Sequence, residues 1–181
     1  MSTSYIELVP RSADSLEREI AQIDALGIPC DGFNLPELRS PSTPFLTTEE
    51  MMALRRNGRI SPEKDLVLHM RTREKSAAET IARMTRAFEH GVTSALLVTG
   101  DAHAGDASLP THTHDVLSSI QTKIAGGTIA IAADLYHDRW GRWTDKIPAI
   151  DRGIIDAVFT QPIFHVDTLD DVGGCTERSF S

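Results

Sequence analysis

The chain has 181 residues and a formal net charge of −8 at pH 7, a balance that argues against nucleic acid or an anionic membrane surface as the main partner. Its 40% hydrophobic and 24% charged residues are typical of one soluble domain with a substantial core. The distant cysteines Cys30 and Cys175, and the lack of an apolar run near the roughly 20 residues of a membrane span, predict a cytoplasmic protein with reduced thiols.

Six short apolar segments predict β-strands. Each is apolar throughout rather than alternating, as is typical of strands covered on both faces. The predicted strands are Tyr5–Val9, Gly32–Leu35, Leu66–Met70, Ser94–Val98, Thr128–Ala133 and Ala157–Gln161. They recur about every 30 residues, which is the length of a parallel βα unit.

The segments between these strands carry helical spacing and capping signals. Apolar residues recur at i, i+4 and i+7 from Leu16, and capping-box pairs predict helix starts at Thr47 and Ser76. Periodicity predicts two later helices over Val116–Ile124 and Ile147–Ile154. The chain therefore alternates strands and helices throughout.

This alternation predicts an α/β fold: a TIM-barrel-like parallel (β/α) repeat that is incomplete, with about six βα units. A closed eight-stranded barrel usually needs about 250 residues. Residues 1–167 would form a single barrel-like domain, and 168–181 a poorly ordered tail. Because an open parallel sheet exposes unpaired edges, we expect a homo-oligomer or a partner subunit.

Reactive side chains of such folds lie at the carboxyl ends of the strands. Glu7 is the most informative, because it lies between Ile6 and Leu8, where an unpartnered charge is costly to bury. Burial would favour its protonated form and make it a general acid; the alternative is a structural salt bridge. The other strand-end candidates are Asn34, His69, Asp101, Asp134 and Gln161.

Three of these candidates have equally simple structural interpretations. Asp101 follows Gly100, a residue that lets a ligand approach closely, but an aspartate there also caps turns. His69 can bond a neighbouring carbonyl group. The amide of Gln161 can read the edge of a heterocycle or satisfy its own loop.

A histidine-rich loop follows the fourth strand. His103, His112 and His114, with Asp106 or Asp115, could bind zinc and support a metal-dependent hydrolase. Their spacing matches no tight metal site, so a solvated loop is the favoured interpretation. No Rossmann, Walker or nucleophile-elbow motif is present in the sequence.

Four segments taken together resemble the methylenetetrahydrofolate reductase family. Tyr5–Pro10 resembles its first strand, with Glu between aliphatic residues and Pro at the end. Leu68–Thr72 resembles its third strand, Leu97–Asp101 its Leu-Arg-Gly-Asp segment, and Phe159–Phe164 its Thr-Gln-Phe-Phe-Phe segment, with Asp167 just after. The order and spacing agree over almost the whole chain.

The resemblance implies an FAD-binding β/α barrel that reduces 5,10-methylenetetrahydrofolate to 5-methyltetrahydrofolate in one-carbon metabolism, with NAD(P)H as donor. Glu7 would protonate the folate nitrogen and open its five-membered ring, and Asp101 would stabilise the resulting cation. The substrate would be held by Gln161, Asn34 and Phe164. The flavin would be contacted by His69, Thr99, Gly100 and Asp134.

Three departures from the family concern the flavin site. Thr99 stands where the family has an arginine, Asp134 where it has a tyrosine, and Ile150 where it has a lysine. They predict a weakened or lost FAD site beside retained folate-facing residues. The alternative to a flavin oxidoreductase is therefore a folate- or pterin-binding protein or subunit without reductase activity.

Overall fold

The computed structural model describes residues 4–38, 43–100, 111–133 and 147–160. These ranges contain one sheet of six parallel strands whose order in space follows the sequence. The strands are β1 (Tyr5–Glu7), β2 (Gly32–Leu35), β3 (Asp65–Arg71), β4 (Ser94–Val98), β5 (Thr128–Ala133) and β6 (Ala157–Thr160). All six predicted strands are confirmed, although β1 ends two residues before the predicted Val9.

Helices connect the strands. They are α1 (Ala13–Ala25), α2 (Thr48–Arg56), α3 (Ala77–Glu89), α4 (Thr113–Ser119) and α5 (Ile147–Asp151). Because every step moves to the next strand in the same direction, right-handed crossovers place the helices on one face. The sheet curls away from them into a half-barrel, which is compatible with a partial TIM-like barrel.

The predicted starts of α2 and α3 are confirmed, α4 begins three residues before the predicted Val116, and two of the predicted ends are wrong. Capping boxes begin α2 at Thr47 and α3 at Ser76. α4 ends at Ser119 rather than continuing to Ile124, because Ile120 takes an extended backbone with ψ 111°. α5 ends before Ile154, since Gly153 has a φ of 65° that terminates a helical turn.

The helix-covered face of the sheet forms the main core. Phe33, Leu68 and Leu97 on the strands are at most 1% exposed, and they join helix residues such as Leu16 and Met84. Burying this much apolar surface is the dominant stabilising contribution to the fold. Ile154, although outside its predicted helix, is 1% exposed in this core.

The concave face of the sheet is different. Its buried apolar cluster comprises Val67, Leu96 and Ala130, partly covered by Tyr5 and Phe159. The rings of Tyr5 on β1 and Phe159 on β6 lie 6.4 Å apart between centroids. Side chains from the two outermost strands therefore meet over the hollow of the curled sheet.

None of the helices within the described ranges is long and apolar enough to cross a membrane. The expected association through open strand edges stays a prediction. The predicted tail, 168–181, lies outside the described residues.

Candidate functional site

A chain of hydrogen bonds joins three predicted site residues at the carboxyl ends of β1, β2 and β3. The Nδ2 atom of Asn34 lies 3.0 Å from Oε2 of Glu7, and its Oδ1 atom lies 2.8 Å from Nε2 of His69. Glu7 and Asn34 are register partners. Asn34 pairs with Val67 on β3, and His69 lies two residues beyond Val67. Because side chains alternate along a strand, Glu7, Asn34 and His69 all project from the concave face.

The chemistry of the groups fixes the direction of these bonds. An ionised carboxylate only accepts, so the Asn34 amide nitrogen donates to Glu7. Its oxygen then accepts the Nε2–H of His69. Burial lowers the pKa of His69 to about 4, although the nearby carboxylate of Glu37 acts in the opposite direction. His69 is therefore neutral at neutral pH, and its Nδ1 carries a lone pair to which no described residue donates.

The expectation that Glu7 is buried is wrong. Its side chain is exposed, because β1 is an edge strand and Glu7 is its last residue. Burial therefore does not favour the protonated form of Glu7, contrary to the expectation from the sequence. Exposure instead leaves Glu7 open to proton exchange with water and to contact with a ligand above the sheet. Asn34, by contrast, is 9% exposed and belongs to the interior.

A network of ion pairs lies beside this site and was not predicted. Glu37, in the loop after β2, accepts a hydrogen bond of 2.9 Å from the backbone N–H of Arg71. The same carboxylate pairs with Arg83 of α3 at 3.0 Å, and Arg83 also pairs with Glu49 of α2 at 2.9 Å. The network ties the loop that follows Asn34 to two helices and to the end of β3.

Electrostatics in this network favour the charged forms. Burial alone would lower the pKa of Arg83, but its bonds to Glu37 and Glu49 outweigh burial and raise it. The sequence carried a signal for this network. Arg83 falls on the buried stripe of α3, between Thr80 and Ala87, where a lone charge needs a partner.

The reason for glycine at position 100 differs from the expected one. Gly100 has a φ of 81°, and a Cβ atom there would lie 2.6 Å from the guanidinium carbon of Arg71. The group that approaches Gly100 closely is therefore a side chain of the protein itself. Arg73 also donates from Nε to the Gly100 carbonyl at 3.0 Å.

Two of the departures from the family fall within the described residues. The hydroxyl of Thr99 lies 3.3 Å from that of Thr113 on α4, so it is engaged with the protein. Ile150 is 5% exposed and packs into the main core. Neither position offers a cation to a flavin phosphate.

The histidine-rich loop is described only at its end. His112 precedes α4, its backbone N–H donates to Asp115 at 2.8 Å, and its ring stacks on His114 at 5.7 Å. His114 Nε2 lies 3.1 Å from Asp115. Within the described ranges, no group of three potential metal ligands converges. His103 and Asp106 lie outside these ranges.

Four further predicted site residues also lie outside the described ranges: Asp101, Asp134, Gln161 and Phe164. The carboxyl ends of β4, β5 and β6, which precede them, belong to the same sheet edge as the chain of Glu7, Asn34 and His69. Their predicted roles stay predictions.

An open cavity of about 600 Å³ lies on the concave side at the opposite, amino-terminal end of the strands. Its lining includes Tyr5, Asp65 and Asp156. Both carboxylates are engaged, Asp65 with the Tyr5 hydroxyl at 3.1 Å and Asp156 with the backbone N–H of Ile129 at 3.0 Å. We therefore place the candidate site at the carboxyl end, where the donors and acceptors of neighbouring strands converge.

The arrangement of Glu7, Asn34 and His69 combines an exposed carboxylate, a fixed amide and a neutral imidazole. Such a set can exchange a proton and hold a polar heterocycle by directional hydrogen bonds. Comparisons with models of known protein families and with curated proteins find no match to this chain.

Proposed function

We propose that this protein binds a reduced folate at the carboxyl end of its sheet and acts as a methylenetetrahydrofolate reductase-like oxidoreductase. The reaction would convert 5,10-methylenetetrahydrofolate to 5-methyltetrahydrofolate, with FAD and NAD(P)H as the hydride carriers. The observation that carries the proposal is the hydrogen-bonded chain of Glu7, Asn34 and His69 across three neighbouring strand ends. It joins, at one edge, residues that the sequence resemblance assigns to substrate and cofactor.

In this proposal Glu7 supplies the proton that opens the five-membered ring of the folate. Its exposure allows it to recover a proton from water after each turnover. Asp101 would stabilise the cation that ring opening creates, and Gln161 would hold the pterin edge. The supporting contact is the bond from Asn34, which engages only Oε2 of Glu7 and holds the carboxyl group in one orientation, so that Oε1 can carry the proton that is transferred.

The described residues do not fit FAD well. The space beside Gly100 is filled by Arg71, and the Thr99 hydroxyl is engaged with Thr113. This observation favours a second candidate function, a folate- or pterin-binding protein or subunit without reductase activity. In that case the site would bind the same heterocycle and leave the hydride chemistry to another protein.

Two measurements on the purified full chain test the proposal. Calorimetric titration with 5-methyltetrahydrofolate should show saturable binding at one site, and no binding would refute both candidates. Visible absorbance near about 450 nm, a property of oxidised flavin, separates them. A yellow protein that reduces 5,10-methylenetetrahydrofolate supports the oxidoreductase, and a colourless protein that binds folate without turnover supports the binding protein.

A metal-dependent hydrolase remains the least supported function. It predicts one equivalent of zinc per chain, lost when His112 and His114 are both replaced by alanine. Elemental analysis of the two proteins checks this directly. Zinc at one equivalent in the wild type, and none in the double variant, would displace the folate proposal.

A further inference from the structure

We propose that Asn34 is a positioning residue, whose amide holds His69 in its Nε2–H tautomer and leaves Nδ1 as an acceptor for an N–H or O–H group of the ligand. The resemblance assigns Asn34 to direct substrate contact, so this is a different role. The part that concerns His69 rests on contacts in the free protein, and only the ligand clause rests on the proposed function.

Both ends of the Asn34 amide form hydrogen bonds. Its nitrogen lies 3.0 Å from Glu7 and its oxygen 2.8 Å from His69, distances of good hydrogen bonds. The two bonds use one N–H and one oxygen lone pair of the amide, and together they fix the plane of the Asn34 side chain. Its position between two residues suits it to orient them.

A half-turn rotation of the Asn34 amide is disfavoured. Reversing Asn34 would turn its oxygen toward the Glu7 carboxylate, which has no proton to donate when ionised. The reversed amide would donate to Nε2 of His69 and would therefore go with the other tautomer, Nδ1–H. The carboxylate of Glu7 therefore sets the direction of the amide, and the amide sets the tautomer of His69.

The other ring nitrogen of His69, Nδ1, is left as an acceptor. With the proton on Nε2, a neutral imidazole accepts through Nδ1. Among the described residues no hydrogen bond to Nδ1 is present. Because His69 is half-buried near the strand ends, this lone pair is suited to a donor group, such as a ring or exocyclic N–H of a heterocycle, rather than to an anion.

The proposal is tested on the free full-length protein with ¹⁵N-labelled histidine. Long-range ¹H–¹⁵N spectra at pH 7 read the tautomer, and His69→Gln identifies the His69 signals among those of the seven histidines. We expect an Nε2–H tautomer with an observable imidazole N–H proton, since the hydrogen bond shields it from exchange with water. An Nδ1–H tautomer, or a cationic ring, would overturn the proposal.

Variants separate positioning from a general structural role. Asn34→Ala should lose the protected N–H signal. Asn34→Asp, made together with Glu7→Gln so that two carboxylates do not face each other, keeps an oxygen that accepts from Nε2–H and should retain the signal. Asn57→Ala, the same change at the end of α2, should leave the spectrum of His69 unchanged. An N–H signal that persists in Asn34→Ala, or disappears in the double variant, would contradict the proposal. If Asn34→Ala does not fold, the spectra of the wild type and the double variant still decide it.

No folate is present in these spectra. Failure of the wild-type protein to bind 5-methyltetrahydrofolate would therefore refute the proposed function and leave the assignment of the His69 tautomer intact. If the protein does bind, Asn34→Ala should weaken binding about fivefold, the size of effect expected when a neutral hydrogen bond is lost. Unchanged binding would contradict the proposal that Nδ1 of His69 accepts a hydrogen bond from the ligand.

Discussion

The two faces of the sheet are formed by alternate residues of the same strands, but their environments differ. On β4, Leu97 lies on the helix-covered face within the main core, and Leu96, its neighbour, lies on the concave face in a cluster with Val67 and Ala130. Side chains alternate along a strand, so one step in sequence changes the environment completely. The helix-covered face is apolar and closed, whereas the concave face carries Glu7, Asn34 and His69 at its carboxyl edge.

The residues that stabilise the fold and the residues of the candidate site therefore lie on different faces of the sheet. The helix-covered face supplies most of the buried apolar area, so the concave face can hold polar groups at a modest cost. Substitutions on the first face should therefore change folding, and substitutions at the edge of the second should change protonation and binding. A substitution in the helix-covered core that changed protonation at the site, or one at the polar edge that unfolded the protein, would contradict this separation.

The largest expected effect comes from the paired substitutions Leu97→Ala and Leu96→Ala. Loss of a leucine side chain from a closed core leaves a cavity, so Leu97→Ala should lower the free energy of unfolding by about 4 kcal/mol. Leu96 belongs to a smaller cluster beside an open hollow, and we expect about half that loss. Urea denaturation of both variants checks this, and equal losses would mean that the concave face is as closed as the other.

The next effect is the pH dependence that His69 confers. Its pKa is about 4 in the folded protein against 6.5 ordinarily, so between these values the unfolded chain binds more protons. Stability should therefore fall as the pH drops from 6.5 to 4, by at most about 3.5 kcal/mol at about 1.4 kcal/mol per pH unit.

His69→Gln isolates this contribution from that of the carboxylates. The difference in unfolding free energy between wild type and variant should shrink or reverse in favour of the variant as the pH falls. A difference that stays constant from pH 7 to 4 would show that His69 titrates normally.

A smaller effect is expected at the ion-pair network. Arg83→Met removes the cation between Glu37 and Glu49 and leaves the half-buried Glu37 carboxylate without it, so stability should fall by about 2 kcal/mol. The estimate is below that for a fully buried pair because Glu49 is 56% exposed. Arg86→Met, an exposed arginine on the same helix, is the matched control, and equal effects would show that the network contributes nothing.

Much of the fold was predictable because its signals are local. Continuous apolar runs gave six strands, and the Ser76–Glu79 pair located the start of α3 from two residues. Helix ends were harder, since α4 stops where Ile120 becomes extended although apolar spacing continues to Ile124. Periodicity marks which residues face the core, and Ile154 shows that a buried residue at helical spacing can lie beyond the helix.

The sequence predicted which residues belong to the candidate site, but not their burial or their contacts. Strand-end position identified Glu7, Asn34 and His69, because parallel strands finish at one edge. Whether Glu7 is buried depends on what covers β1, and nothing in its flanking residues reports that. The bridging role of Asn34 and the occupation of the space at Gly100 by Arg71 depend on contacts between different strands, which spacing along the chain does not encode.

We propose that the carboxyl edge of β1 to β3 performs chemistry on a reduced folate. Glu7→Gln tests it most directly, with Glu63→Gln as control, an exposed glutamate just before the opposite, amino-terminal end of β3. Reduction of 5,10-methylenetetrahydrofolate should fall at least about a hundredfold in Glu7→Gln, as expected for loss of a general acid, while calorimetric binding of 5-methyltetrahydrofolate stays within about threefold. Full turnover in Glu7→Gln, or an equal loss in Glu63→Gln, would contradict the account.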